Sequence, residues 1–279
     1  MANVKLSTKA VGSIVKIKVN GTVKDFIIVH QGKPSGVYDD SCDGTWLLMQ
    51  DIYEHRAWHS SNTNDYANST IHSYLNSTFL NLFESNIKNA IKQVKIPYRK
   101  GSGTSTTVTS GSNGLSAKIF LLSATEISFS FFSMPSGEGA ELAYFKGCAD
   151  NSSDSKRIAK LNGSATDWWL RSPYCGNLRY TLYVRSNGVW NYYNCSSSGG
   201  VRPALILPSS LLVSDDGTVS TNTAPTINAS STNLGEKNAP FDFNYTVTDA
   251  DGDTLTVTEK LDGKTTKTRT GVASGTALT

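Results

Sequence analysis

The side chains of this 279-residue chain that could do chemistry are few and far apart. Three carboxylates alternate in Asp249-Ala250-Asp251-Gly252-Asp253, a spacing that suits a hard cation with oxygen ligands, such as calcium. The stretch is no EF-hand, because Gly252 is fourth and not sixth and Lys260 stands where a bidentate Glu belongs. An acidic turn between two strands is the alternative. His55 and His59 lie four apart and would share the face of a helix, but the helix signal there is weak, HExxH is absent and no third ligand is evident. Asp39, Asp40, Asp43 and Asp51 cluster loosely, as on a solvated loop. Cys42, Cys148, Cys175 and Cys195 form no CxxC pair. Cys175 and Cys195 flank one hairpin and could approach each other, though free thiols are the default for a chain made in a cytoplasm. A GxSxG elbow, a GxGxxG turn and a Walker loop are all missing, so a hydrolase triad or a nucleotide site has no anchor. The expectation is a non-enzymatic protein with no catalytic residues.

Binding offers more. In Arg179-Tyr180-Thr181-Leu182-Tyr183-Val184-Arg185 alternate side chains share a face, so Tyr180, Leu182 and Val184 oppose Arg179, Thr181, Tyr183 and Arg185. The turn at Ser186-Asn187-Gly188 decides the returning register. A two-residue loop would set Val184 against Asn191, mixing apolar with polar; a three-residue loop with Gly188 left-handed sets Val184 against Trp190 and Leu182 against Tyr192. The second register segregates the apolar residues and is the one expected. The outward face then carries Arg179, Thr181, Tyr183, Arg185, Val189, Asn191 and Tyr193; all of these but Val189, with Tyr174 and Asn177, form the candidate ligand-binding set. Tyr, Asn, Ser and Arg are favoured in paratopes, where rigid aromatic area comes at low entropic cost. Tyr and Thr are also good strand formers, so composition alone leaves an ordinary solvated hairpin equally open.

The elements around this hairpin follow from patterning. Ile14 to Val19 alternates, Asn20-Gly21 is a turn and Val23 to Val29 returns as a strand. Trp46 to Met49 reads as a short buried strand. From Ile71 to Val94 the apolar residues take helical spacing, interrupted by Ser caps, which predicts two or three short helices ended by Pro97. Residues 99–117 form a Gly, Ser and Thr tract expected to be a long exposed loop. Ile119 to Leu122 is a buried strand, Ser123-Ala124-Thr125-Glu126 a capping box, residues 133–165 irregular, and Val201 to Leu207 a closing strand. Strands with helices between them predict an α+β plan for residues 10–208. Residues 209–225 read as a linker. Residues 226–279 read as a small all-β, Ig-like sandwich module with too few strands to be complete, which implies that the natural protein continues.

Charged residues are 18% of the chain and apolar residues 38%, so Ser, Thr, Asn and Gly must cover much of the surface, as suits an extracellular or particle-borne protein. A net charge of +3 with no basic-aromatic run gives no reason to expect nucleic acid as a partner. No apolar stretch approaches a membrane span, and Met1 to Lys5 lacks the apolar core of a secretory signal, so membrane insertion is not expected.

Several separate motifs occur in order: Asp51-Ile52-Tyr53 with Arg56-Ala57-Trp58, Tyr66 to Ile71, Phe120 to Glu126, Trp168-Trp169-Leu170-Arg171-Ser172-Pro173, and Gly200-Val201-Arg202-Pro203-Ala204. Together they resemble a family of C-type-lectin-like domains common in phages and prophages of gut Firmicutes, over roughly residues 10 to 208. The resemblance implies a compact lectin-like fold related to the formylglycine-generating enzyme scaffold, used in phage tail and diversified ligand-binding proteins. Some relatives are varied by diversity-generating retroelements between the Trp-rich strand and the GxRP strand, here Tyr174 to Ser198, which tips the reading toward display. It implies a virion protein made in a bacterial cytoplasm, whose partners are a bacterial cell-surface ligand, protein or glycan, and other phage tail proteins. The scaffold also has enzymatic members; their closely spaced Cys pair is absent here, as are the EPN, QPD and WND motifs of calcium-dependent sugar binding. An enzyme acting through His55, His59 and nearby carboxylates, or a purely structural virion protein, are the rival readings.

Overall fold

A computed structural model describes residues 4–101, 107–130, 137–148, 150, 152–221, 225–229, 241–249 and 253–279. The chain divides into two compact units, Met1–Thr221 and Asn222–Thr279.

Two five-stranded sheets organise the first unit. One runs in the order Ile119–Phe120, Ala204–Leu207, Thr45–Met49, Thr22–Gln31, Ile14–Val19. Its opening hairpin turns on Asn20 and Gly21, both at positive φ (50° and 72°), the two-residue turn whose twist matches paired strands. The second sheet runs Trp190–Asn194, Tyr180–Val184, Trp168–Pro173, Ser198–Val201, Glu54–Ala57. A single antiparallel ribbon feeds both sheets. Thr45–Met49 pairs with Ala204–Leu207 in the first, and Glu54–Ala57 with Ser198–Val201 in the second. At the bend between them, the Met49 amide donates to the Pro203 carbonyl and the Tyr53 amide to that of Val201.

The α+β expectation is overturned. Among the described residues strand makes up 42% against 15% for helix of every kind, and the architecture is all-β. Helical turns do occur where the spacing placed them, but the α-helical runs are only Thr70–Tyr74 and Ser85–Ala90, with a π turn at Leu75–Phe79 and a 3-10 turn at Leu80–Leu82 between. Their polar residues divert the backbone. The Ser77 hydroxyl donates to the Ser73 carbonyl, and the Asn76 side chain, from within the π turn, bonds the Ile119 carbonyl and the amides of Lys118 and Ile119. The expected loop at 99–117 is also partly paired, Tyr98–Arg99 with Val108–Thr109 and Leu115–Ala117 with Val94–Ile96.

The expected linker belongs in part to the first unit. Leu212–Val213 pairs with Val4–Lys5 and with Val219–Ser220, and Val213 and Val219 are buried. In the second unit Thr226–Ala229, Tyr245–Thr248 and Thr276–Leu278 form one sheet and Leu255–Leu261 with Lys264–Val272 a hairpin, closing over Tyr245, Val247, Val272 and Leu278. Among the described residues no helix is long and apolar enough to cross a membrane.

The first unit's core carries four enclosed Trp rings, and each indole N–H reaches a backbone carbonyl. Trp46 donates to those of Gly32 and Cys42, Trp58 to Leu170, Trp168 to Arg157 and Trp169 to Arg56. Large apolar rings are buried here without stranding a polar atom.

Candidate functional site

The hairpin at the edge of the second sheet pairs Val184 with Trp190, Tyr183 with Asn191, Leu182 with Tyr192, Thr181 with Tyr193 and Tyr180 with Asn194. Gly188 closes its tip at φ 82°, with the Arg185 amide donating to Val189 and the Gly188 amide to Arg185. A Cβ on Gly188 would stand 2.5 Å from the Asp154 carbonyl oxygen, so both the turn and its close approach exclude a side chain. Leu182 and Val184 are buried beneath.

The eight candidate residues are not all displayed. Asn177, Arg179, Arg185 and Tyr193 are exposed, Tyr193 by 54%, while Tyr174, Tyr183 and Asn191 are half-buried. Thr181 is corrected: it is fully enclosed, its hydroxyl donating to the Ser172 carbonyl at 3.0 Å. The bulge between Trp169 and Pro173 sets Thr181 opposite Pro173, folding the neighbouring strand over it. The apolar face is not wholly covered either. Tyr192 stays 39% exposed and stacks on Tyr174, with centroids 4.1 Å apart and planes at 20°. Alternation placed it inward, but its strand is the sheet's outermost, so both of its faces reach solvent.

On the Tyr183 face an open cleft of about 260 Å3 lies between Asp167, Trp169, Tyr183, Tyr193, Ser198 and Gly199. Tyr183 stands edge-on to Trp169 at 5.9 Å and 80°, and to Tyr193 at 6.3 Å and 70°. Three rings therefore present walls in different planes. Burial, reinforced by the Asp167 carboxylate, raises the Tyr183 pKa, while Arg185 opposes it. The Trp169 ring lies over Gly199, where a Cβ would meet it at 2.5 Å. Asp167, Trp169, Ser198 and Gly199 escaped the sequence reading because they come from outside the hairpin: Trp169 from the next strand, Asp167 from just before it, and Ser198 and Gly199 from the strand beyond. Gly199 is legible only once its pairing beside Trp169 is known.

Beneath the 174–180 loop the support is hydrogen-bonded. Asn64, enclosed, donates to the carbonyls of Tyr174, Asn177 and Tyr180. Arg99, also enclosed, donates to the Pro173 carbonyl and lies 2.7 Å from the Cys175 sulfur. Arg171 donates to the carbonyls of Pro97 and Leu121 and pairs with Glu126. Glu138 accepts from the Ser172 hydroxyl and the Arg99 amide, its carboxyl pushed up by burial against the pull of Arg171.

The other chemical candidates do not converge. His55 is an exposed strand residue and not part of a helix, and His59 is half-buried with Nδ1 unpartnered. All four cysteines are free thiols. Of the calcium candidates, Asp249 is buried and accepts the Asp253 amide at Oδ1 (3.3 Å), Asp253 is exposed, and Asp251 lies outside the described residues. Among the described residues no three His, Cys, Asp or Glu side chains gather as a metal site.

No curated protein and no solved structure matches the chain. A family model described as a domain of unknown function (DUF6273) matches residues 43–209, a span that holds both the shared ribbon and the displayed hairpin. The match covers more than half of the chain, which therefore belongs to the DUF6273 family.

Proposed function

We propose that this protein binds a ligand without reacting with it, through the surface around Tyr183 and Tyr193. One observation carries the reading: Tyr183 and the exposed Tyr193 of the edge hairpin wall an open cleft with Trp169, Tyr192 of the same hairpin stacks on Tyr174, and the enclosed Arg99 and Arg171 hydrogen-bond the backbone of the adjoining segments. Exposed rings on a mobile loop would lose entropy on binding; rings on a fixed ribbon lose less. Tyr174, Asn177, Arg179, Tyr183, Arg185, Asn191 and Tyr193 make the contact set, joined by Tyr192 and Asp167. The motifs shared with phage display domains support a role in host recognition, with a bacterial cell-surface protein or glycan as ligand and a phage tail as the setting.

Fluorescently labelled protein applied to a panel of intact bacteria tests this. Saturable binding to some strains, competed by unlabelled protein and lost in Tyr183→Ala/Tyr193→Ala, is the expected outcome. Equal binding by wild type and variant would move the contact surface elsewhere.

A further inference from the structure

Two enclosed arginines of the first unit differ in how their charge is met. Arg171 is neutralised by Glu126 and uses all three guanidinium nitrogens. Arg202 donates through Nε to the Met49 carbonyl at 2.9 Å and through Nη2 to that of Gln50 at 3.0 Å, with its guanidinium carbon 4.8 Å from the Trp168 ring centroid. Its Nη1 is buried with no hydrogen-bond partner, and among the described residues it joins no ion pair. Burial lowers its pKa to about 10, which still leaves it charged near neutrality. A buried guanidinium with idle N–H groups and no counterion is costly to keep unless something meets it.

Arg202 lines a cleft of about 240 Å3 with Asp51, Tyr144, Ser155, Lys156 and Lys160. Three cations thus face one carboxylate. The Lys156 ammonium lies 5.6 Å from the Tyr144 ring centroid, Lys160 is exposed, and among the described residues neither joins an ion pair. An excess of positive charge around a guanidinium with one unsatisfied nitrogen, Nη1, is an arrangement that favours an oxyanion. This lining shares no residue with the tyrosine cleft.

We infer that the Arg202 cleft is a phosphoryl-binding site, with Arg202 as a fixed positive floor and Lys156 and Lys160 as mobile donors. A dianionic phosphate or phosphate monoester matches the charge excess better than a monocarboxylate. Neither a pathway nor a reaction is implied; the site holds an anion.

Inorganic phosphate, titrated at constant ionic strength with chloride as the control, is the probe. Saturable heat release or amide shifts confined to this cleft are expected, with affinity weakened about tenfold or more in Lys156→Ala/Lys160→Ala and unchanged in Tyr183→Ala/Tyr193→Ala. Lys160 is exposed and Lys156 half-buried over Tyr144, so the unfolding curve of the double variant is measured beside its affinity, and Lys156→Gln/Lys160→Gln, which keeps the side-chain length, repeats the test. A second arm uses phosphatidylglycerol vesicles. Co-sedimentation lost in the lysine variant assigns the phosphate to a lipid, and a response to inorganic phosphate without vesicle binding assigns it to a soluble ester. No saturable response to either probe at millimolar phosphate, or an affinity indifferent to the lysines, overturns the inference.

Discussion

Arg171 and Glu126 meet in two parallel hydrogen bonds of 2.6 Å, with both side chains wholly enclosed. The same carboxylate accepts the Ser123 amide at 2.8 Å, while the Glu126 amide donates to the Ser123 hydroxyl at 3.2 Å, a reciprocal cap on the Thr125–Ile127 turn. The Tyr38 hydroxyl donates to it as well. One carboxylate thus ties a cap, a tyrosine and the Trp168–Pro173 strand into one unit, and that strand carries the displayed hairpin.

Glu126→Gln keeps the shape but leaves Arg171 buried without its counterion. Removing one partner of a buried pair costs about 3–5 kcal/mol, so urea unfolding should show a loss of that order. A loss under 1 kcal/mol would mean that the guanidinium is satisfied by carbonyls alone.

Thr181 and Tyr193 sit opposite each other on paired strands yet should behave oppositely. Thr181→Val strands the enclosed Ser172 carbonyl and should cost about 1–3 kcal/mol. Tyr193→Ala, at an exposed edge, should change stability by about 0.5 kcal/mol or less. Chemical denaturation of both variants reads the contrast.

Gly199→Ala should act on the cleft and not on the hairpin tip. The added methyl would press on the Trp169 ring at 2.5 Å, tilting the wall beside Tyr183. Ligand affinity should fall with the hairpin register unchanged, as seen in cross-strand amide contacts between Tyr183 and Asn191. Undiminished affinity would place the ligand on the Tyr174 and Tyr192 side.

His72 gives the fold a pH dependence. Burial lowers its pKa from 6.5 to about 4, so the unfolded chain binds its proton first as pH falls. The stabilising contribution is full above pH 6.5 and is lost progressively down to about 4, a swing of about 1–3 kcal/mol. His72→Phe keeps a ring against Tyr66 and should flatten the stability curve over that interval. An unchanged slope would assign the dependence to other groups.

What was legible in the chain was local. Asn20-Gly21, the Ser123 to Glu126 cap and the three-residue turn at Gly188 each follow from one backbone requirement, and the last fixed a register that pairs Val184 with Trp190. What was not legible depended on neighbours distant in sequence. Thr181 looks displayed until the bulged strand covers it, Tyr192 looks buried until its strand proves to be an edge, and Asp167 enters the cleft only by folding. The helical spacing of 71–94 located the turns but overstated them: the Ser77 hydroxyl competes for the Ser73 carbonyl within the segment, and the Asn76 side chain bonds the distant backbone of Lys118 and Ile119.

The display account is tested most directly by one variant, Tyr183→Ala/Arg185→Ala/Tyr193→Ala, measured for binding to a responsive bacterial strain and for urea unfolding in the same preparation. Lost binding with a midpoint close to wild type is predicted, since these side chains stand on the ribbon and not under it. Collapse of the fold, or binding that survives intact, would contradict the claim that this face meets the ligand.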